Sequence, residues 1–454
     1  MYRNGLSKRE SRLILGDLKL ENFLDCSLQI DTDVSLGLES SGTLHQPRDT
    51  FRFEDCDWPI NVYNNEKGLD CFVVGAGIVV FGAALQGGLL GDLGGPLGQI
   101  FQVLVTVFFI SFIFFGQKLQ MRLYLMEIDK GVRRLDIIKN QSNELTLKTV
   151  KEQGKPVTDP APSLKILMEQ FFITPVDMDP QGIVGKFDHL LDVRDLKFKD
   201  DVRMIAPSAS DSTLNNLENL VEASWALNTI YRIVRHFYLL GKKTSSFFII
   251  IQLQAILPMV LQEAEAYLGA ARAFAEGQPI GDGIGPLVAS RLMKDKEKRK
   301  VEKDVVVAET ALEDRRVIAL KAEGPGGNVG KPGDAIRSIL QENIGKVSMV
   351  VMIDAAVKFE GETSGEVSEG IGAAIGGIGT ERFKIEEEAT KQKIPVYAVI
   401  VKESLQEAIT PMKKEILEAG EKVIDRIKKL IVERSKPGDT VIVAGIGNTI
   451  GIGQ

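Results

Sequence analysis

Twenty consecutive uncharged residues, Pro96 to Phe115 (PLGQIFQVLVTVFFISFIFF), limit what this chain can fold into more than any other stretch. At helical rise they match the roughly 30 Å of a bilayer's hydrocarbon core. They are expected to form a transmembrane helix, with the lipid bilayer as partner. Lys118, Arg122, Lys130, Arg133 and Arg134 follow at once. By the positive-inside rule they put the C-terminal side in the cytoplasm of a cell-membrane protein. Cys71 to Gly91 is a second apolar, glycine-rich stretch that pairs with the first as a hairpin or lies at the interface. The membrane region is therefore set at 71–116.

Residues 1–70 are acidic, rich in turn formers and without sustained periodicity, the pattern of a weakly ordered segment. A second reading starts the natural protein downstream of it. The net charge of -7 gives no reason to expect nucleic acid. The three cysteines all lie within the first 71 residues, so thiolate metal sites and disulfides contribute nothing to the bulk of the fold. The three histidines, His45, His189 and His236, exclude a His-ligated metal centre built within the C-terminal part alone. No cofactor is expected.

Residues 117–276 read as juxtamembrane and helical. From Gln117 to about Asn140, Leu119, Leu123, Leu125, Met126 and Val132 suggest an amphipathic helix continuing the span. Lys155 to Ser163 is a proline-rich linker. Ser212-Thr213 opens a helix with Leu214, Leu217, Leu220, Val221, Trp225, Leu227, Ile230 and Val234 on one face. Phe247 to Leu261, too short for a span, reads as a buried core helix continuing through Ala275, with Glu263 and Glu265 exposed and a stop at Gly277. The charged run Lys294 to Lys303 reads as a solvated helix face.

The rhythm changes from Val305. Apolar runs at 305–307, 317–320, 347–353, 396–401 and 440–444 alternate with helical patterns at 334–342, 383–391 and 407–434. That alternation predicts a mostly parallel α/β sheet covered on both faces, in a domain spanning 277–454. The expected fold class is thus α/β, with an N-terminal transmembrane helix, a helical middle region and this sheet. In such sheets ligands bind at the carboxyl ends of the strands. Asp354 follows the 347–353 strand, and Gly445-Ile446-Gly447-Asn448 follows the last one. Asp282 sits in the turn Gly281-Asp282-Gly283-Ile284-Gly285-Pro286 ahead of a helix at 287–293. Two aspartates brought together there would share one water. Asp282 as a helix cap and Asp354 as a turn brace stay open as purely structural uses. A phosphate-binding reading of Gly445–Asn448 fails, because too few residues follow for the helix whose N-terminus would hold the phosphate.

Gly324-Pro325-Gly326-Gly327-Asn328-Val329-Gly330, then Val350-Val351-Met352-Ile353-Asp354-Ala355, resemble the spore germination protease family. So do the run Glu369 to Arg382 and Ile394-Pro395-Val396-Tyr397-Ala398-Val399. The resemblance covers about 277–454. It implies the phosphorylase/hydrolase-like fold shared with the hydrogenase maturation endopeptidases. In that family a Gly-x-Gly-Asn turn and an Asp-x-x-Gly-Pro loop are near neighbours in sequence. Here Gly445–Asn448 and Asp282–Pro286 stand at opposite ends of the domain, as a circular permutation would leave them, so Gly447 is expected beside Asp282. The resemblance implies an aspartic-type peptidase with Asp282 and Asp354 catalytic, and Gly283, Gly447, Asn448, Asn328 and Lys331 at the substrate, a protein or peptide. The hydrogenase-type relatives bind metal through a Glu, an Asp and a His; here Asp282 stands at the Glu position and the domain has no His, which disfavours that version and leaves a carboxylate-only site open. Glu360, Glu362, Glu366, Glu369 and Glu381 are expected to be mostly solvated. The whole chain also resembles an uncharacterised family of archaeal membrane-anchored proteins. A non-catalytic scaffold or ligand-binding protein on the same fold is the alternative, and an oligomer stays open.

Overall fold

The computed structural model describes residues 96–171, 182–377 and 379–454. The expectations for 1–70, for Cys71–Gly91 and for all three cysteines lie outside the described residues. The chain divides into two compact units between Leu123 and Tyr124, and everything below from Tyr124 onward belongs to one of them.

Helix α1 (Pro96–Thr149) is continuous through the apolar run and its basic flank. Its inward face differs from the one expected. Ile128, Val132, Leu135 and Ile138 are buried, whereas Leu119, Leu123 and Met126 are exposed. The i, i+3, i+4 spacing that decides burial starts at Ile128, about two and a half turns after Leu119, where the sequence pattern begins. After a π turn (Val150–Gly154), α2 (Ala161–Leu167) and α3 (Ile183–Ile205) lead to two long antiparallel helices. Helix α4 (Asp211–Thr244) is capped by Ser210, whose Oγ accepts from Thr213 N at 3.2 Å. Helix α5 (Phe247–Glu276) is capped in the same way by Ser246 and stopped by Gly277 at φ 68°. These are ordinary start and stop signals: a serine oxygen takes an orphan N–H, and a glycine takes the left-handed turn.

Leu214, Leu217, Leu220, Val221, Leu227, Ile230 and Val234 of α4 pack on Ile250, Leu253, Leu257, Val260, Tyr267 and Phe274 of α5. A hydroxyl knot ties α1 to α4, with Ser224 Oγ 2.6 Å from Ser142 Oγ and 2.7 Å from Thr146 Oγ1. The reading of α5 as a buried core helix needs correction in its first half. By length and composition α5 is long and apolar enough to cross a membrane, and only 28% of its apolar window is buried. Phe248 and Met259 face outward. Glu263 is half-buried rather than exposed.

Residues 281–454 build a two-faced sheet. A 3₁₀ turn (Gly281–Gly283) and α6 (Ile284–Leu292) come first, then β1 (Lys298–Glu302), β2 (Val305–Leu312), β3 (Arg315–Ala322) and α7 (Pro332–Glu342). There follow β4 (Val347–Val357), β5 (Val367–Ile371), α8 (Thr380–Gln392), β6 (Val396–Glu403), α9 (Leu405–Ile409), α10 (Lys414–Arg434) and β7 (Thr440–Gly445). The order is β1-β2-β3-β7-β4-β6-β5. The central four strands run parallel, so the last strand in sequence sits in the middle.

The sheet is mixed rather than mostly parallel. Three of its six pairings, β1–β2, β2–β3 and β5–β6, are antiparallel. The β2–β3 hairpin turns on Glu313 and Asp314, both at positive φ (50° and 59°). That geometry normally advertises itself by Asn-Gly, so the sequence carried no hairpin signal. The charged run expected as a helix face contains β1, an edge strand whose lysines and arginine suit an exposed edge. The expected helix over 407–434 is two helices, broken where Pro411 pairs with Ile280 and Met412 N donates to Pro279 O.

Alternate residues of each central strand go to opposite faces. Val351, Ile353, Val441 and Val443 pack on α6 and α10 through Ile284, Val288, Ile416, Val423 and Ile427. Val350, Met352, Ile442 and Ala444 pack on α7 and α8 through Ala335, Ile336, Ile339 and Ile385. All six residues of β7 are buried. Truncating Ile442 to alanine at this doubly covered position is expected to cost about 2–5 kcal/mol in denaturant unfolding of the full chain. A loss near zero would place β7 outside the core.

Candidate functional site

Three carboxylates meet where β4, β6 and β7 end. Asp354 lies within β4 rather than after it, since the strand runs on to Val357. It is buried, and its Oδ1 accepts from Ala355 N at 2.8 Å. Beyond β7, Ile446 N donates to Ile353 O, which keeps the chain in register as it leaves the sheet. Gly447 then turns at φ 127°, and a Cβ there would lie 1.9 Å from the carbonyl oxygen of Asp282. Only glycine permits both that dihedral and that approach. The next residue, Asn448, donates its backbone N–H to Asp282 Oδ2 at 2.7 Å.

Gly447 is therefore beside Asp282, as the sequence-based expectation required. Asp282 does not cap α6: the cap position belongs to Gly283, which makes no side-chain bond to the helix. Gly285 brings α6 onto the strand ends, where a Cβ would meet Ile446 O at 2.2 Å and Ile353 O at 2.5 Å.

The third carboxylate was missed from sequence. Glu403 closes β6, is 1% exposed, and has no hydrogen-bond partner at either oxygen. It stands at the carboxyl end of a parallel strand, the rule that picked out Asp354, and only its position beside a charged helix hid it. Asp282, Asp354 and Glu403 line one cleft of about 180 Å³, walled by Val329, Pro332, Ile375 and Ile446 among others.

Burial sets the electrostatics. It pushes the Asp282 carboxyl up to about 6, against the Asn448 N–H, which favours the ionised form. Burial, and then the charge of Asp282, raise Asp354 well above the usual carboxylate range despite N–H bonds from Ala355 and Gly376. Burial and the charges of Asp282, Glu407 and Asp354 do the same to Glu403. Glu407, four residues on, shows what a partner changes. Burial opposes its charge, yet Lys413 Nζ at 2.8 Å, the Ser404 N–H and Ser364 hold it down at about 2.

The remaining expected site residues divide. Gly447 lines the cleft. Gly283 packs instead on Asn448 O and Ile452. The Asn448 side chain is fully buried, accepts from Ile450 N and donates to Asn219 Oδ1, so it fixes the chain. Asn328 and Lys331 line a second cavity of about 140 Å³ between the sheet and helices α3 and α4. There Lys331 pairs with Asp192 at 2.6 Å, and Asn328 Oδ1 accepts from Gly330 N.

The other glutamates are surface ion pairs or exposed, with one exception. Glu362 and Glu366 pair with Lys402, and Glu369 with Arg426. Glu381 is instead fully buried, accepting from Gly333 N and pairing with Lys384 at 3.0 Å. Among the described residues, no three His, Cys, Asp or Glu side chains are grouped to hold a metal ion.

The raised Asp282 carboxyl has a stability signature. The fold favours its protonated form, so its contribution is fully present below the unfolded value of 3.8 and is lost as pH rises toward 6. Asp282→Asn keeps an acceptor for Asn448 N and removes the charge. The variant should melt like the native chain at pH 4 and progressively higher than it from pH 4 to above 6. A melting-temperature difference that does not change with pH would contradict the assignment.

No curated protein and no solved structure matches the chain. Residues 102–277 match the family model described as protein of unknown function (DUF1512) N-terminal domain, and residues 280–453 match the one described as domain of unknown function (DUF1512) C-terminal. The chain carries both halves of that family and belongs to it, a family of uncharacterised proteins.

Proposed function

We propose that this protein is a membrane-anchored hydrolase of the aspartic-peptidase type, attached through 96–115 with its α/β part in the cytoplasm. The carrying observation is the common cleft of Asp282 and Asp354, in which the charge of one raises the other. The uncharged run, the basic residues after it and the helical backbone of α1 support the attachment. Gly447 lying against Asp282 supports the likeness to the spore germination proteases and the permuted order of its two turns.

In this reading the two aspartates hold one proton between them. In this scheme Asp282, which has the Asn448 N–H to favour its ionised form, is the base, and Asp354, raised by burial and by the charge of Asp282, is the acid. A water between them loses a proton to Asp282 as its oxygen bonds to the peptide carbonyl carbon. Asp354 gives its proton to the carbonyl oxygen. When the tetrahedral intermediate collapses, the C–N bond breaks, the amine takes the proton from Asp282, and the new hydroxyl returns one to Asp354. General acid–base catalysis of this kind is worth about 10²–10⁴-fold.

One observation favours a non-catalytic ligand-binding role on the same fold. Both aspartates already accept backbone N–H bonds, as structural carboxylates do. The two readings part on a single measurement. With the full chain in detergent and a library of unstructured peptides, Asp282→Asn and Asp354→Asn should each lower the cleavage rate about 10²–10⁴-fold while circular dichroism stays native. Cleavage that survives both substitutions, or a native chain inert to the whole library, would leave the non-catalytic role.

A further inference from the structure

Glu403 is the acid that the two-aspartate scheme leaves idle. Its side chain is 1% exposed, it faces the cleft shared by Asp282 and Asp354, and both of its carboxylate oxygens lack a partner. Two other buried acids, Glu381 and Glu407, are satisfied. Glu381 has Lys384 and the Gly333 N–H, and Glu407 has Lys413, Ser364 and the Ser404 N–H. A buried carboxylate without donors is costly unless something else completes it.

Nothing in the cleft wall does so. Its charged lining residues are Asp282, Asp354 and Glu403, all acidic, and no Lys, Arg or His stands among the described residues that line it. Glu403 cannot retreat either. Its Oε2 lies against Gly281, where a Cβ would come within 2.4 Å, so the carboxylate is wedged next to the Asp282 turn.

We propose that the cleft binds an organic cation, an alkylammonium or guanidinium group, with Glu403 as its anchor. On the peptidase reading, on which this substrate assignment rests, the cation is a lysine or arginine side chain of the peptide held beside the scissile bond. Two free oxygens on one carboxylate match the paired N–H donors of a guanidinium. The volume of about 180 Å³ is many times the ~10–15 Å³ that admits a single water, room for such a side-chain tip and a reacting water. A divalent ion fits less well. It needs several oxygens converging at bonding distance, and the described acids are not grouped in that way.

The test is calorimetric titration of the full chain in detergent with four probes: N-acetyl-arginine amide, N-acetyl-lysine amide, the uncharged N-acetyl-citrulline amide, and magnesium or zinc chloride alone. The arginine probe is expected to bind at least about tenfold more tightly than citrulline, with lysine between. Glu403→Gln should erase that preference. Where this variant fails to fold, Glu403→Asp, which keeps the charge and withdraws it by one methylene, should weaken arginine binding while leaving citrulline unchanged. Equal binding of arginine and citrulline, a preference untouched by either substitution, or binding of the metal salts alone would overturn the proposal.

The readout is independent of hydrolysis. Arginine preference in Asp354→Asn, together with absent cleavage in the native chain, would sink the peptidase and keep the cation site. Cleavage indifferent to basic residues, with no arginine preference in binding, would do the reverse.

Discussion

The hydrogen bond from Asn448 N to Asp282 Oδ2 joins the last strand of the sheet to the turn that opens the α/β half. Gly447 makes it possible by bringing its backbone against the Asp282 carbonyl. The short tail beyond it then reaches in every direction that matters. Thr449 N donates to Asn328 O, and its hydroxyl donates to Gly326 O, which pins the glycine-rich 324–330 loop. Asn448 reaches Asn219 of α4, and Asn219 in turn donates to Gly327 O. One segment of a few residues thus sets the position of an acid, the shape of a loop and the seat of the helical layer. Because β7 is hydrogen-bonded on both sides, by β3 and β4, this tail leaves the sheet from its central strand.

That dependence explains what could be read from sequence and what could not. Uniform apolar runs such as 347–353 and 440–444 can only be strands buried on both faces, and they are. The serine caps and Gly277 bound α4 and α5 within a residue or two of their signals. Misses fall where tertiary pairing outweighs local pattern. Lys298–Glu302 becomes a strand because β2 offers it an edge. Val367–Ile371, with an exposed glutamate and an exposed glycine, becomes one because β6 does. The Glu313-Asp314 turn uses residues that tolerate positive φ only at some cost, so no composition rule finds it.

At the site, strand-end logic located Asp354 and Gly447, and glycine spacing located Asp282. The same logic, carried to β6, reaches Glu403. Asn328 and Lys331 show the opposite failure. They lie in the loop whose Val329 and Gly330 wall the cleft, but the backbone turns their side chains into the neighbouring cavity. Residues adjacent in sequence can serve two different hollows, and no one-dimensional pattern separates them.

Depth of burial and the partners at hand together separate the acids of this region. Glu407 has a lysine, a serine and a backbone donor, and it stays ionised down to about 2. Asp282 has one backbone donor and sits near 6. Asp354 has two backbone donors, but burial and the charge of Asp282 raise it well above the usual carboxylate range. Glu403 has none and faces three other carboxylates. Across a few residues the structure thus runs from an acid held well below the usual carboxylate range to one raised well above it. On the proposed peptidase reading, such a cleft would hold one proton between its two aspartates, which acid–base chemistry needs. It also keeps an unsatisfied acid at its wall, which a neutral ligand leaves unsatisfied and a cationic one completes. Proton sharing and cation capture therefore follow from one cause, the scarcity of donors in a buried acidic cleft.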